Sequence, residues 1–324
     1  MNNKEYDLVC VGVASVDMIL TGVDNNIMNI DSTLADSFNA FIGGDGANGA
    51  INLSRLGLNV CIACNIGNDN NGNYVLDTLK KNNVETKYVR VDDTCHTGCP
   101  IIIVDDNGDR HIIRIPNSAN HSFELSMVNM EALDNSRHLH FASANVVPMM
   151  NGEPLGELFK KAHGKGLTTS LDASYDKSGK GLKNIEEALY NCDVFIPSFQ
   201  EASVYAESED IDEIIEFFKR FPLKVFGIKL GEKGVVITDF KERYDLPTLF
   251  EGKPVDTTGA GDAFISGFVA GWLRDYDLKS CAYLGSAQSV SVISKMGACD
   301  SAGTLDDALK ILESKNIKLY KNNK

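Results

Sequence analysis

Residues 256–264 read Asp-Thr-Thr-Gly-Ala-Gly-Asp-Ala-Phe. Thr258, Gly259, Ala260 and Gly261 suit a turn that opens a helix. Unpaired backbone N–H groups and the helix dipole attract an anion at such a place. Yet the chain puts its own carboxylate there, Asp262. A stripe of small residues follows at intervals of four: Ala263, Gly267 and Gly271. Each glycine inside a helix costs about 1 kcal/mol against alanine, so this helix is expected to be held tightly at a fixed point. Ordinary core packing accounts for the stripe but not for the Gly-Ala-Gly-Asp before it.

A second glycine-rich segment, Gly-Gly-Asp-Gly-Ala-Asn-Gly-Ala, spans 43–50. It contains G-x-G-x-x-G at Gly44, Gly46 and Gly49, but a dinucleotide site needs a buried strand immediately before that motif. Here the preceding stretch is short and partly polar, so a nicotinamide-dependent oxidoreductase is the weaker reading. A glycine turn that lets backbone approach a ligand fits better, with Asn48 offering both a donor and an acceptor. Asp17 follows the first strand by a few residues. In a parallel sheet that is where ligands lie, and its carboxylate can accept from neighbouring hydroxyls. Cys61, Cys64, Cys95, His96 and Cys99 suggest zinc by composition. Cys61 and Cys64, however, fall in an apolar strand where a separation of three turns them to opposite faces, so buried free thiols are expected.

The elements that must position these groups alternate. Strands are expected at Asp7–Val13, Val60–Ile66, Leu139–Ala142, Thr168–Asp172, Val194–Pro197, Val225–Leu230 and Val235–Thr238. Helical patterns fall between them over 46–57, 153–166 and 208–221. Such alternation implies an α/β fold, a three-layer α/β/α core with a mostly parallel central sheet. Residues 15–40 and 97–116 break the pattern: both are β-rich without an intervening helix. The second is a hairpin around Asp106-Asn107-Gly108-Asp109. Together they form a small β-sheet, a candidate lid. Isoleucines 101, 102, 103, 112, 113 and 115 are more than one lid face can use, because neighbours in a strand alternate. One face is expected over the ligand and the other against a partner. The chain has 324 residues, is 43% hydrophobic and carries a net charge of −14. That charge argues against nucleic-acid or anionic-membrane surfaces, and no apolar run approaches the roughly 18 residues of a membrane span. The N-terminal stretch enters a strand almost at once, without a signal-peptide pattern, so a cytoplasmic protein is expected.

The segments at 43–48 and 256–264, with their order and separation, resemble the two signatures of PfkB-type sugar kinases of the ribokinase-like superfamily. Matching segments run from about residue 6 to about 315, which implies a single kinase domain over 1–324 with inserted lid segments. The resemblance implies that the amides of Gly259, Ala260 and Gly261 form an anion hole for the phosphoryl group in flight. It makes Asp262 the catalytic base. Physics agrees: phosphoryl transfer needs positioning and charge stabilisation, and Asp262, kept ionised by the helix dipole, can take the hydroxyl proton. Asp17, Gly43, Gly44 and Asn48 match sugar-binding positions. Lys229, Gly231, Gly234, Ser198 and Ser286 match the nucleotide side. Glu201 matches the acid that organises Mg²⁺ through water. Asp256, Thr258, Val292, Lys295, Gly297 and Ser301 match a monovalent-cation site, so K⁺ is expected beside ATP and Mg²⁺. A homodimer through the lid is also implied.

Three departures qualify the match. Ser198 replaces an Asn, Asp45 stands where ribokinases have a Lys, and Asp176 replaces an Arg of fructokinase-like members in Asp172–Asp176. Without that Arg, a neutral ribose- or fructose-like sugar is the expected acceptor, with a nucleoside as the alternative.

Overall fold

The computed structural model describes residues 4–105, 110–176, 178–255, 257–294 and 302–322. Its strands are β1 (Leu8–Val11), β2 (Ser15–Val23), β3 (Ser37–Gly43), β4 (Val60–Ala63), β5 (Asn65–Gly67), β6 (Val84–Glu85), β7 (Arg90–Asp92), β8 (Ile101–Asp105), β9 (Arg110–Ile113), β10 (His138–Ala144), β11 (Thr168–Ala173), β12 (Val194–Phe195), β13 (Val225–Lys229), β14 (Val235–Thr238) and β15 (Arg243–Leu246). The longer helices are α1 (Asp45–Arg55), α2 (Asn70–Lys81), α3 (Glu153–Gly164), α4 (Phe199–Ala206), α5 (Ile211–Phe218), α6 (Ala260–Trp272), α7 (Leu278–Ile293) and α8 (Leu305–Ser314).

Nine strands form the main sheet in the order β15-β14-β13-β12-β11-β10-β1-β4-β6. It is parallel from β6 to β13, with β14 and β15 added antiparallel. Alternation along β1 shows why helices cover both faces. Leu8 and Cys10 pack in one core with residues of α1, α6 and α7, while Val9 and Val11 pack in the other with residues of α3 and α5. A strand buried on both faces reads as a continuous apolar run. Cys61 and Cys64 likewise lie in opposite cores. The expected strand Val60–Ile66 is broken at Cys64, because β5 leaves the main sheet to pair with β7. There the buried Asn65 donates to the Ala119 carbonyl at 3.0 Å.

Local chemistry sets the helix starts. Asp210 caps α5 by accepting from Asp212 and Glu213 N–H, and Ile214 and Phe218 bury the opposite face. Helix α6 carries the small-residue stripe. A Cβ at Gly267 would come within 2.6 Å of the Leu284 carbonyl oxygen, so α6 and α7 cross almost backbone to backbone. Phe268 beside it is fully buried. Truncating such a phenylalanine to alanine costs about 3–5 kcal/mol.

The two β-rich segments form a separate four-stranded sheet, β3-β2-β8-β9. Its register settles the faces. Ile19 opposes Ile102, which opposes Ile112, so these share a face with Asp17. Ile19 and Ile102 on that face are buried. Met18, Leu20, Phe38, Ile101, Ile103 and Ile113 share the other face, where Phe38 is 60% and Ile113 52% exposed. The expected turn at 106–109 lies outside the described residues. No helix among the described residues is long and apolar enough to cross a membrane.

Candidate active site

The chemistry-bearing residues gather at the carboxyl ends of the parallel strands, the general ligand position of open α/β sheets. Asp172 is the penultimate residue of β11 and Lys229 the last of β13. Ser198 follows β12 and caps α4. Gly259 caps α6 with φ +75°, in the left-handed region that glycine adopts without strain. That conformation starts the helix so that Asp262 falls in its first turn. Ser266 Oγ donates to the Asp262 carbonyl at 2.6 Å and Ser289 Oγ to the Ala260 carbonyl at 2.9 Å, which fixes the turn from two helices.

Asn48, buried in α1, donates from Nδ2 to Asp262 Oδ2 at 3.0 Å. Its Oδ1 is buried and meets no donor. The glycine segment and the helix-opening segment, 214 residues apart in the chain, thus meet at one carboxylate. Lys229 Nζ pairs with Asp172 Oδ1 at 2.9 Å. A Cβ added at Gly261 would lie 3.3 Å from that ammonium, so Lys229 stands against the start of α6. Asp17 comes in from the small sheet, where Ser15 Oγ donates to Oδ1 at 3.1 Å. Gly43 is its close neighbour across the β2–β3 pair, and any Cβ there would sit 2.2 Å from the same Oδ1. Asp45, at the start of α1, accepts from Ser174 Oγ at 2.8 Å. A cavity of about 860 Å³ opens beside these groups, lined in part by Asp172, Ser174, Glu201, Lys229, Gly261 and Asp262. That volume suits a small-molecule site.

Burial pushes the Asp262 carboxyl well above the ordinary carboxylate range, and the charges of Asp45 and Asp172 push it further. The Asn48 amide and Lys229 pull the other way without prevailing. Burial and the neighbouring carboxylates thus oppose the helix dipole, which is expected to favour the ionised form. A carboxylate tuned upward is a stronger base. Asp45 rises to about 6, mainly through burial. Burial disfavours the Lys229 ammonium, but Asp172 and Glu201 more than compensate and hold it above its usual value.

Other expected residues are placed as follows. Ser198 and Glu201 form a capping box: Glu201 Oε2 accepts from Ser198 N–H at 2.7 Å, and Ser198 Oγ accepts from Glu201 N–H at 3.3 Å. Burial raises the Glu201 carboxyl. Gly231 and Gly234 form the turn from β13 to β14, and Gly231 lines the cavity. Ser286 is buried in α7 and donates to its own helix at the Ala282 carbonyl. Val292 packs with Ala263 and Ala302, and Val255 N–H donates to the Ile293 carbonyl at 2.9 Å. Those contacts bring the chain before Thr258 to the end of α7. Asp256, Lys295, Gly297 and Ser301 lie outside the described residues. Asp176 serves its own loop, accepting from Ser178 and Gly181. Gly44 begins α1, but the strand before it is β3 of the small sheet, not a strand of the parallel sheet. Sequence reasoning did not place Asp172, Ser174 or Asp45 in the site. The segment 172–176 was visible, but its partners were not.

Among curated proteins, the chain is 27% identical over 330 residues to the ATP-dependent 6-phosphofructokinase of Thermoanaerobacterium thermosaccharolyticum, covering 98% of this chain and 97% of that protein. It is 28% identical over 306 residues to the ribokinase of Bacillus subtilis, covering 94% and 99% respectively. The Arabidopsis thaliana ribokinase structure, complexed with ribose and ATP, superposes with a TM-score of 0.83 at 21% identity, covering 95% of this chain and 99% of that one. That likeness shows the ribokinase-like fold. The model of the pfkB family of carbohydrate kinases matches residues 6–305, and the chain belongs to that family.

Proposed function

We propose that the chain transfers the γ-phosphoryl group of ATP to a hydroxyl of a neutral, ribose- or fructose-like sugar. The observation that carries this reading is Asp262 itself, held by Asn48 at 3.0 Å and placed in the first turn of α6 beside Lys229. An attacking hydroxyl bound between Asp17 and Asp262 gives its proton to Asp262 as its oxygen bonds to the γ-phosphorus and the bond from that phosphorus to the bridging oxygen breaks, leaving ADP. The N–H groups of Gly259 and Gly261 stabilise the charge that develops on the transferred group; that of Ala260 donates to the Thr257 carbonyl at 3.3 Å and joins them only if this turn opens. Lys229 balances phosphate charge on the nucleotide side. Glu201 is half-buried beside it, and a carboxylate donor of this kind suits Mg²⁺. Glu201 would help hold Mg²⁺, which would supply charge to offset that of the phosphates. The family resemblance assigns a K⁺ site to Thr258 and Val292 together with Asp256, Lys295, Gly297 and Ser301, which lie outside the described residues; equal rates in K⁺ and in a bulky organic cation speak against it. The small sheet is the lid of a single kinase domain, and its outer face meets a second copy. Asp176 offers no cation to a charged sugar, which favours a neutral one. The free thiols suit a reducing cytoplasm.

An ADP-release screen with MgATP over neutral sugars and nucleosides tests the reading. Sugar-dependent release supports it. Release only with nucleosides moves the substrate class, and release with no acceptor rejects the kinase.

A further inference from the structure

Asn52 and Gln288 are fully buried amides beside a core of apolar side chains that includes Ile51, Leu53 and Ala287. A buried amide costs free energy unless it is hydrogen-bonded. Gln288 Nε2, on α7, donates to Asn52 Oδ1 at 3.0 Å and to the Gly303 carbonyl at 3.1 Å. Asn52 Nδ2, on α1, donates to the Asn48 carbonyl at 2.8 Å. Asn48 Nδ2 in turn donates to Asp262 Oδ2 at 3.0 Å. Backbone carbonyls only accept, so those of Gly303 and Asn48 fix which end of each amide is nitrogen. The bonds therefore run in one direction: from Gln288 to Asn52, to the turn of α1 that carries Asn48, and from Asn48 to Asp262.

The next residue of α7 holds the other half of that pair. Ser289 Oγ donates to the Ala260 carbonyl at 2.9 Å, at the start of α6. Helix α7 is itself set closely against α6: a Cβ at Gly267 would meet the Leu284 carbonyl oxygen at 2.6 Å, and one at Gly285 the Phe264 carbonyl oxygen at 2.7 Å. Adjacent residues of one helix thus tie down both segments that meet at Asp262. With no exposed surface, neither Asn52 nor Gln288 can touch a substrate. An apolar pair could fill the same space, but hydrophobic contact is not directional and would not fix how α1 sits along α7.

We propose that Gln288, acting through Asn52, is a positioning residue for the reaction: it locks α1 against α7 at the register where the Asn48 amide meets the Asp262 carboxylate. The inference rests on Asp262 being the base, as in the proposed function above. Small shifts of that pair matter, because a misplacement of about 1 Å caused far from the chemistry can cost about 100-fold in rate.

The test is a double-mutant cycle between Gln288→Met and Asn48→Ala. It reads kcat and the pH profile of kcat/KM with MgATP and the acceptor of the ADP-release screen that turns over fastest, ribose and fructose tried first. Methionine nearly keeps the side-chain size and removes both donors. Each variant is first checked for a cooperative melting transition. Gln288→Met alone is expected to lower kcat at least about tenfold. In the Asn48→Ala background it is expected to lower kcat further by less than about twofold, because the contact it serves is already gone. The pH profile responds to the contact and not to lost stability. The Asn48 amide favours the charged form of Asp262, so Asn48→Ala and Gln288→Met should both move the acid limb to higher pH, and the double variant no further than Asn48→Ala. The other groups facing Asp262 are Asp45 on α1, Asp172 on β11, Lys229 on β13 and Cys10 on β1. All four are unchanged in these variants, and Asp45 stays tied to Ser174. Asn52→Ala breaks the chain of bonds at its middle and carries the cycle if Gln288→Met does not fold. Equal losses of kcat in the two backgrounds, a limb that stays in place, or a near-wild-type kcat in the folded single variants overturns positioning by Gln288 and leaves Asp262 as the base. No ADP release by wild type with any acceptor overturns the proposed function and this inference with it.

Discussion

The two sheets hold their aspartates in different ways. Asp172 and Asp262 stand on the nine-stranded sheet and on α6, elements packed from both sides and pinned by buried contacts such as Phe268 and the Gly267 crossing. Asp17 stands on a four-stranded sheet whose inner face buries Ile19 and Ile102 but leaves Ile112 49% exposed, and whose other face leaves Phe38 and Ile113 in solvent. A thin sheet with few buried contacts opens at lower cost than a doubly covered one. The difference teaches where each task belongs. On the proposed function, the groups that must meet the reacting atoms sit on the stiffer layer, and the group that grips the sugar sits on the layer that opens at lower cost.

Substitutions on either side can break that division. The largest effect is expected at Asp262. Asp262→Asn should keep the wild-type melting temperature, still bind sugar and ATP, and turn over at least about 100-fold more slowly, the scale of a lost acid–base group. Near-normal turnover in a folded variant removes Asp262 from the role of base. On the lid, Asp17→Asn should act on binding rather than chemistry. Its KM for the acceptor should rise about tenfold, the scale of a weakened charged hydrogen bond, with kcat and the KM for ATP little changed. Hydrogen exchange should show sugar protecting residues 15–43 and 101–105. A fall in kcat alone, or no added protection, would place Asp17 with the stiff layer instead. The smallest effect is expected on the outer lid face. Ile113→Ser should change stability by no more than about 0.5 kcal/mol, yet reduce self-association measured by light scattering. A wild-type chain that stays monomeric at high concentration rejects the lid contact between copies.

Much of this frame was readable from residues that act locally. Glycine at 259 and 261, apolar runs in the parallel strands and the acidic start of α5 each report their own backbone, so the helix-opening turn, the layer order and the helix starts were visible. The separate small sheet was visible because alternation without helices is itself a local pattern. What stayed hidden depends on strand order. Lys229 meets Asp172 across 57 residues, and Ser174 meets Asp45 across 129. Neither pair has any sequence signal until β11 and β13 are placed around β12 and the start of α1 is set against the end of β11. The carboxylates that raise Asp262 went unseen for the same reason. The helix dipole is a neighbour in sequence, while Asp45 and Asp172 are neighbours only in space. Val60–Ile66 read as one strand because its apolar run is continuous, although the ladder changes partners at Cys64.

The central claim is that Asp262 is the base and that nearby carboxylates set its strength. The pH dependence of kcat/KM tests it most directly, compared between wild type and Asp45→Asn. A base whose folded pKa is raised works above that value and is lost as pH falls through it. Wild type should therefore show an acid limb well above the usual aspartate value of about 3.9. Removing the Asp45 charge should move that limb to lower pH, because one of the influences raising Asp262 is gone. A wild-type profile flat from about pH 5 to about pH 8, or a limb that does not move in folded Asp45→Asn, would contradict the account.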